Sequence, residues 1–485
     1  MGVGREKMVM TSGYACEGKE GRKGICRLSS SSSSSFFLSC LIFPKQAEQS
    51  RGRAEPGRKG VAMAAVLKVY ADRLSQPSRA IIIFCKVNRI DFQELTVDLA
   101  KGQHRAHEFT KINPMAQVPT IVDGRFKLFE SHAILRYLAT VFPGVPHHWY
   151  PADLFTRAKL ESVLDWHHSN LRRGAGFIKV NKRSSIKKRM GVGREKMVMT
   201  SGYACEGKEG RKGICRLSSS SSSSFFLSCL IFPKQAEQSR GRAEPGRKGV
   251  AMAAVLKVYA DRLSQPSRAI IIFCKVNRID FQELTVDLAK GQHRAHEFTK
   301  INPMAQVPTI VDGRFKLFES HAILRYLATV FPGVPHHWYP ADLFTRAKLE
   351  SVLDWHHSNL RRGAATYVLH TALGPALGLT PSPEAAKEAE KLLSRSLGTI
   401  ETVWLKGDAK FLNGNPQPSI ADLSLVCEIM QLEVVGDERR DRILGPHEKV
   451  RAWMENVKKA TSPHFDEVHQ LIFKLKARLN PASKL

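Results

Sequence analysis

Residues 301–327 read INPMAQVPTIVDGRFKLFESHAILRYL, and this stretch decides the fold prediction. The run from Val307 to Val311 predicts a strand, and Gly313 predicts a turn into a second strand from Phe315 to Phe318. A helix is predicted to begin at Glu319-Ser320, because serine favours helix starts and apolar residues then recur at helical spacing. The stretch therefore predicts a β-hairpin followed by a helix.

The residues before this stretch predict a strand-helix-strand unit. Leu256 to Ala260 alternates like a strand, and Ser264-Gln265-Pro266 signals the start of an apolar helix. A polar-alternating strand from Phe281 to Asp287 and a short helical region follow. The predicted order is βαβ, then α, then ββα.

From Leu343 onward the pattern is helical throughout. Ser382-Pro383 opens one helix, and Ser419 to Asp422 fits the spacing of a capping box. We interpret Ser419 and Asp422 as residues that set a helix start and take no part in chemistry.

The chain contains a long internal repeat. Residues 1–175 recur without a substitution at 190–364, whereas repeats that stack in a solenoid are shorter and diverge at their caps. This identity indicates either a very recent duplication or a gene prediction that joined the same exons twice. The first copy breaks off inside a helix, which favours the second explanation.

The net charge of +29 is concentrated outside the predicted folded parts. Residues 1–62 carry +6, their repeat at 190–251 carries +6, and the linker 176–189 carries +6. Serine-rich basic runs without periodicity are typical of solvated, disordered segments, and binding to nucleic acid or an anionic membrane is the less favoured interpretation.

The cysteines and the apolar runs indicate a chain without disulfides or membrane spans. The nine cysteines show no CxxC or zinc spacing and no secretory signal accompanies them, so we expect free thiols in a reducing compartment. The apolar run FFLSCLIF (36–43) is too short to cross a bilayer, and no transmembrane helix is expected.

Taken in order, these motifs resemble the cytosolic glutathione transferases, and most closely the plant theta class. The segments that carry the resemblance are LKVYADRLSQPSRA, KGQH, INPMAQVPTIVDG, FESHAILRYL, DWHHSNLRRGAA, QPSIADLSL and KKATSPHFDEVH. The resemblance covers residues 252–485 and, in the upstream copy, residues 63–175. It implies a thioredoxin-like α/β domain that binds glutathione, followed by an all-α helical domain.

The predicted domains follow from the repeat and the resemblance. They are a low-complexity segment (1–62), a thioredoxin-like first copy (63–145), a truncated start of a helical domain (146–175), a basic linker (176–189), a repeated low-complexity segment (190–251), a thioredoxin-like second copy (252–334) and the all-helical C-terminal domain (335–485).

The resemblance implies that a serine activates glutathione. In the theta class a serine hydroxyl just after the first strand donates to the glutathione sulfur, and the matching residue is Ser264, with Ser267 as the nearest competitor. A charge-assisted hydrogen bond and the positive helix end together supply about one to two units of thiol pKa lowering, at about 1.4 kcal/mol per unit. The alternative role of Ser264 is a helix cap alone.

The remaining glutathione contacts are implied in the same way. Val307-Pro308 matches the family's cis-proline turn, Glu319 and Ser320 match the contacts to the γ-glutamyl end, and His293 matches the contact to the glycine carboxylate. Gln265, Gln306 and Arg361 complete the predicted binding set, and at most one of the adjacent Arg361 and Arg362 is expected to face the site. The equivalent positions of the first copy are Ser75, Gln76, His104, Gln117, Val118, Pro119, Glu130 and Ser131.

The sequence thus predicts a glutathione transferase that uses glutathione as co-substrate. The adjacent His356 and His357 have no further ligand at i+4, so no metal site is predicted. The theta resemblance and the C-terminal Ser483-Lys484-Leu485, a peroxisomal import signal, favour reduction of organic hydroperoxides in the peroxisome, the cytoplasm or both. The resemblance also implies a homodimer. The rival functions are a non-catalytic glutathione- or ligand-binding regulator and a nucleic-acid-associated fusion.

Overall fold

The computed structural model describes residues 66–172 and 255–480. The two low-complexity segments, the run FFLSCLIF, the basic linker and the C-terminal Ser483-Lys484-Leu485 lie outside the described residues. Within the described ranges no helix is long and apolar enough to cross a lipid bilayer. Three described cysteines, Cys85, Cys274 and Cys427, are free and buried.

The first copy (66–172) forms a mixed sheet with helices packed on it. Its elements are β1 (Leu67–Ala71), α1 (Gln76–Val87), β2 (Phe92–Thr96), α2 (His107–Thr110), β3 (Thr120–Asp123), β4 (Phe126–Phe129), α3 (Ser131–Val141) and α4 (Leu154–Ser169).

The second copy repeats this order and continues into the helical domain. Its elements are β5 (Leu256–Ala260), α5 (Gln265–Val276), β6 (Phe281–Thr285), α6 (His296–Thr299), β7 (Thr309–Asp312), β8 (Phe315–Phe318), α7 (Ser320–Val330) and α8 (Leu343–Ser358). The helical domain adds α9 (Leu360–Val368), α10 (Pro383–Thr399), α11 (Ile420–Ile429), α12 (Asp437–Leu444), α13 (Glu448–Thr461) and α14 (His464–Leu479).

Each sheet has four strands, and the predicted order βαβ, α, ββα is confirmed. In the second copy the strand order is β6-β5-β7-β8, with β5 and β6 parallel and the other neighbours antiparallel. Leu256, Val258 and Ala260 are buried while Lys257 between them is exposed, as the alternation predicted. The predicted strand that included Val307-Pro308 begins later, at Thr309, because proline cannot donate to the ladder.

The helical domain covers one face of the second copy that stays open in the first. Ile272 on α5 is fully buried, whereas its counterpart Ile83 on α1 is 54% exposed. Arg268 on α5 donates to the carbonyl of Cys427 and to Gln431 of the helical domain, both at 2.9 Å. Among the described residues, the first copy therefore exposes apolar surface that the second copy buries.

The two copies pack against each other through their own helices. α3 lies against α8, and α4 lies against α7. The contacts occur in pairs with the roles of the copies exchanged: Phe126 meets Phe344, and Phe155 meets Phe315, each at 5.0 Å between ring centroids. The copies thus form a pseudo-twofold pair within one chain.

Buried ion pairs cross this interface in the same paired manner. Arg325 Nη1 lies 3.0 Å from Asp165 Oδ2, and Arg136 Nη1 lies 3.1 Å from Asp354 Oδ2. Burial alone would raise the pKa of Asp165, but Arg325 and His357 outweigh it and hold that pKa below its usual value. Loss of one partner of such a buried pair typically costs about 3–5 kcal/mol.

Candidate functional site

The predicted site residues of the second copy gather at one edge of its sheet because of the strand directions. β5 and β6 run parallel, so the segments that follow them, with Ser264 and His293, leave from the same edge. β7 runs antiparallel to β5 and pairs its first residue, Thr309, with Tyr259 near the end of β5, which brings Val307-Pro308 to this edge. β8 ends opposite Thr309, so Glu319 arrives there as well.

Ser264 occupies the N-cap position of α5, and its side chain does not cap the helix. The residue is 8% exposed, has extended backbone dihedrals and makes no side-chain hydrogen bond to the first turn. Its backbone N–H donates to the Asp261 carbonyl at 2.9 Å, and Asp261 also accepts from the Leu288 N–H at 3.0 Å. The hydroxyl is therefore held at the positive end of α5 without being used by the helix.

The competitor Ser267 is in a different environment. It is fully buried, and its hydroxyl lies where no solvent reaches it. Of the two serines, Ser264 is 8% exposed and Ser267 is not exposed at all. Gln265 is the first residue of α5 and is half-buried.

The Val307-Pro308 peptide bond is cis, as the resemblance implied, and so is Val118-Pro119 in the first copy. Asn302 is buried and donates through Nδ2 to the Gln306 carbonyl at 2.8 Å and to Thr309 Oγ1 at 3.0 Å. This bracing leaves the Gln306 side chain exposed and Val307 half-buried at the edge. The backbone of Val307 is thereby presented by a fixed loop.

Glu319 joins β8 to α7 with a strained backbone. Its φ is 70°, and the equivalent Glu130 has a φ of 68°. Positive φ in a non-glycine residue outside the common regions costs on the order of 1–3 kcal/mol and is concentrated at functional sites. Glu319 takes the N-cap position and helical dihedrals begin at Ser320, so the helix begins at Glu319-Ser320 as predicted.

The pKa of the Glu319 carboxyl lies close to neutral pH. Burial and, to a smaller extent, Asp165 of the first copy together raise this pKa to about 7, against the opposing effect of Arg361. In the first copy, burial raises the pKa of Glu130 to about 6. A cation placed beside Glu319 would restore its negative charge.

The two arginines after α8 separate as predicted. Arg361 Nη1 donates to Glu428 Oε2 at 3.0 Å and lies close enough to Glu319 to influence its carboxyl, whereas Arg362 is exposed. Glu428 itself is buried on α11. The sequence did not single out Glu428, because nothing in the local pattern of α11 shows which helix it faces.

His293 lies in the 3₁₀ turn Gln292–Arg294 after β6. The ring is half-buried, and its Nδ1 is buried without a hydrogen-bond partner. Burial and the neighbouring Arg294 lower its pKa. The structure places His293 at the same edge as Ser264 but shows no direct contact between them.

In the first copy, a small cavity unites most of the predicted positions. Its lining includes Gln117, Val118, Pro119, Glu130 and Ser131, together with Arg172, Pro77, Asn113 and Phe129. The lining of this cavity does not include Ser75, Gln76 or His104. Ser75 occupies the N-cap position of α1 and, like Ser264, makes no side-chain hydrogen bond to the helix. Arg172, the counterpart of Arg361, was absent from the predicted set of the first copy.

Comparison with known proteins agrees with this architecture. The family described as "Glutathione S-transferase, N-terminal domain" matches residues 65–140 and 254–329, and "Glutathione S-transferase, C-terminal domain" matches residues 383–456. The thioredoxin-like unit is therefore present twice and the helical unit is matched after the second one.

Two theta-class relatives match about half of this chain and 90% of their own length. Glutathione S-transferase T1 of Arabidopsis thaliana is 66% identical over 221 residues, which cover 46% of this chain and 90% of the relative. Mouse (Mus musculus) glutathione S-transferase theta-1 is 41% identical over 224 residues, with the same two shares. The apo structure of human glutathione S-transferase T1-1 is 37% identical and aligns with a TM-score of 0.43 over 46% of this chain and 90% of its own. The chain belongs to the theta class of the glutathione S-transferases.

Proposed function

We propose that the second copy and its helical domain form a glutathione transferase in which Ser264 activates glutathione. The observation that carries the proposal is the Ser264 hydroxyl, which stands at the N-terminus of α5 without bonding to the helix. A hydroxyl in this position donates a hydrogen bond to an incoming sulfur, and the helix end favours the thiolate over the thiol. The thiolate is the nucleophile that attacks an electrophile.

The other predicted residues at the sheet edge supply the glutathione contacts. We assign the Val307 backbone to the cysteinyl peptide, and Ser320 with the α7 N-terminus to the γ-glutamyl carboxylate. Glu319 pairs with the γ-glutamyl ammonium, and this cation offsets the burial that raises the Glu319 pKa. His293 takes the glycine carboxylate, Gln265 and Gln306 line the wall, and Arg361 contacts glutathione or the electrophile.

The favoured reaction is the reduction of an organic hydroperoxide. The glutathione thiolate attacks the O–O bond, which breaks to give an alcohol after protonation and a glutathione sulfenic acid. A second glutathione attacks the sulfenic sulfur, so that glutathione disulfide and water are released. Two thiols are oxidised for each hydroperoxide reduced, and no metal is required.

The first copy is proposed to bind glutathione weakly and to lack turnover. Its cavity contains the equivalents of the predicted binding residues. After residue 175 its sequence passes into the basic linker 176–189 and not into a counterpart of residues 365–485, the part of the helical domain that would form an electrophile pocket.

The oligomeric state and the cellular location of the protein stay predictions. The resemblance implies a homodimer, yet the packing of the first copy on α7 and α8 offers an in-chain partner for that surface. Import into the peroxisome through Ser483-Lys484-Leu485 is tested by the location of a fluorescent fusion with a free C-terminus, compared with a Leu485 deletion.

The test of the catalytic assignment compares glutathione-dependent reduction of cumene hydroperoxide by the full chain, Ser264→Ala and Ser75→Ala. We expect Ser264→Ala to lose activity by about 100-fold, as for other groups that stabilise a developing anion, and Ser75→Ala to retain it. Comparable loss in Ser75→Ala would show that the first copy is part of a working site. Unchanged activity in both variants would exclude activation by serine.

A further inference from the structure

The interface between the two copies contains a cluster of ligand-type side chains that the proposed reaction does not use. Asp165 comes from α4 of the first copy, and His321 and His357 come from α7 and α8 of the second. All three residues are buried, and one ligand atom from each lies within 4.8 Å of the others. The sequence could not show this cluster, because Asp165 and His357 belong to different copies.

Each of the three residues has a buried side-chain atom without a hydrogen-bond partner that can serve as a ligand. These atoms are Asp165 Oδ1, His321 Nδ1 and His357 Nε2. His357 Nε2 lies 3.6 Å from Asp165 Oδ1, too long for a hydrogen bond. Ligands of a tetrahedral zinc ion, bonded at about 2.0–2.2 Å, are about 3.3–3.6 Å apart. The separation of His357 Nε2 and Asp165 Oδ1 has this value, and the ligand atom of His321 lies within 4.8 Å of both residues' ligand atoms.

The surroundings of the cluster orient these atoms. His356 Nε2 lies 3.4 Å from Glu428 Oε2, and His356 Nδ1 lies 3.2 Å from His321 Nε2. A proton on His321 Nε2 is donated to His356 Nδ1 and leaves His321 Nδ1 as a free lone pair. In other metal sites a hydrogen bond from the second ring nitrogen likewise fixes the orientation of the ligating imidazole.

The other carboxylate oxygen of Asp165 is also held. Arg325 Nη1 donates to Asp165 Oδ2 at 3.0 Å, which leaves Oδ1, 3.6 Å from His357 Nε2, without a competing donor. At the counterpart position in the other copy, Arg136 Nη1 donates to both oxygens of Asp354, at 3.2 and 3.1 Å, so that carboxylate has no free oxygen and the site is not duplicated.

The charge balance of the interface favours a bound cation. The buried ionic network contains four carboxylates (Glu161, Asp165, Glu350 and Asp354) but two guanidinium groups (Arg136 and Arg325), which leaves a formal charge of −2. Uncompensated buried charge is costly.

We propose that Asp165, His321 and His357 bind one divalent zinc-type metal ion that joins the two copies of the thioredoxin-like unit. Neutral imidazole and carboxylate are suitable ligands for such an ion, and three protein ligands leave a fourth position for water. The bound ion lies between α4, α7 and α8 and strengthens the in-chain pairing.

The test uses the full, untagged chain after treatment with a chelator and dialysis. Titration with Co²⁺ is expected to give the intense visible absorption of a tetrahedral site, saturating at a single equivalent per chain. Zn²⁺ is expected to displace Co²⁺ and to raise the thermal unfolding midpoint of the chain. Metal analysis after gel filtration is expected to find one equivalent of retained zinc per chain. Absence of a tetrahedral spectrum together with loss of zinc on gel filtration overturns the proposal.

Two variants locate the site, and a third is the control. His357→Gln and Asp165→Asn are expected to lose the Co²⁺ spectrum and the retained zinc, with His357→Gln the decisive variant because Asp165 also pairs with Arg325. His296→Gln removes an exposed imidazole elsewhere and is expected to bind metal like the parent chain. Circular dichroism confirms folding; metal retained by a folded His357→Gln, or lost equally in His296→Gln, overturns the assignment.

Discussion

At the residue scale, Ser264 and Ser267 lie within one turn of the same helix but in different surroundings. Ser267 is fully buried, whereas Ser264 is at the sheet edge with an uncommitted hydroxyl. We expect Ser264→Ala to raise the thiol pKa of bound glutathione by about one to two units, since it removes a charge-assisted hydrogen bond worth about 1.5–3 kcal/mol. The thiolate absorbance of the complex, titrated against pH, measures this. An unchanged pKa would assign Ser264 to the helix alone.

The ionisation of Glu319 predicts how glutathione binding depends on pH. Its pKa is raised to about 7 by burial, so the carboxyl is mostly protonated at pH 6 and mostly ionised at pH 8. The ligand ammonium favours the ionised form, so affinity for S-methylglutathione, which has no thiol to titrate, is expected to rise about tenfold across this range. Calorimetry at three pH values tests this. Glu319→Gln should flatten the profile, and an unaltered slope would assign the dependence to another group.

Some residues of the candidate site could be predicted from the sequence, and others could not. The motifs located Ser264, Val307-Pro308 and Glu319, because each stands next to a strand or helix end that local patterning marks. The contact of Arg361 with Glu428 and the effect of Asp165 on Glu319 join distant segments. No local spacing predicts such contacts, since they depend on how whole helices pack.

At the element scale, several buried hydrogen bonds converge on Asp422 at the start of α11, and we call this group of bonds the Asp422 hub. Asp422 accepts from the Leu412 N–H at 2.9 Å and from Trp453 Nε1 at 2.8 Å, and its other oxygen accepts from the Ser419 N–H at 2.8 Å. The capping box predicted from Ser419 and Asp422 is present. The two further donors come from outside the helix and were not foreseen.

This hub predicts a large loss of stability in Asp422→Ala. The substitution leaves buried donors unpaired at about 1–3 kcal/mol each, so we expect the free energy of unfolding to fall by at least about 3 kcal/mol. Asp342→Ala removes the exposed N-cap of α8 and is the matched control, at about 1 kcal/mol. Urea unfolding followed by circular dichroism compares the two. Equal losses would show that the hub adds nothing to an ordinary cap.

The elements themselves were largely predictable because local rules agree with the fold. β5 and β8 have the predicted bounds, and α5 begins directly after its predicted serine. The differences occur at β6, which ends at Thr285 and not at Asp287, and at Pro308, which does not join β7. Both are strand ends at the edge of the sheet where the predicted site residues lie.

At the scale of the whole molecule, the repeated unit serves as a partner for its own copy. Each buried arginine reaches across to the other copy, and Ala158 and Ala347 each pack into the core of the opposite copy. The charge pattern and the repeat predicted two similar domains. They did not predict that the truncated one would pack on α7 and α8, because identical sequences carry no information about which surfaces meet.

This packing predicts the mass of the particle in solution. The full chain, at 54.2 kDa, is expected to be a monomer by light scattering, because its first copy already covers α7 and α8. A fragment of residues 252–485, which corresponds to most of the Arabidopsis relative, has that surface free and is expected to elute as a dimer. In the full chain, the buried ion pairs should make the pairing resistant to moderate salt, since buried charges are little screened. A full chain of twice the mass would mean that two whole chains form a homodimer, as the family resemblance implies. The second molecule would then replace the first copy on α7 and α8.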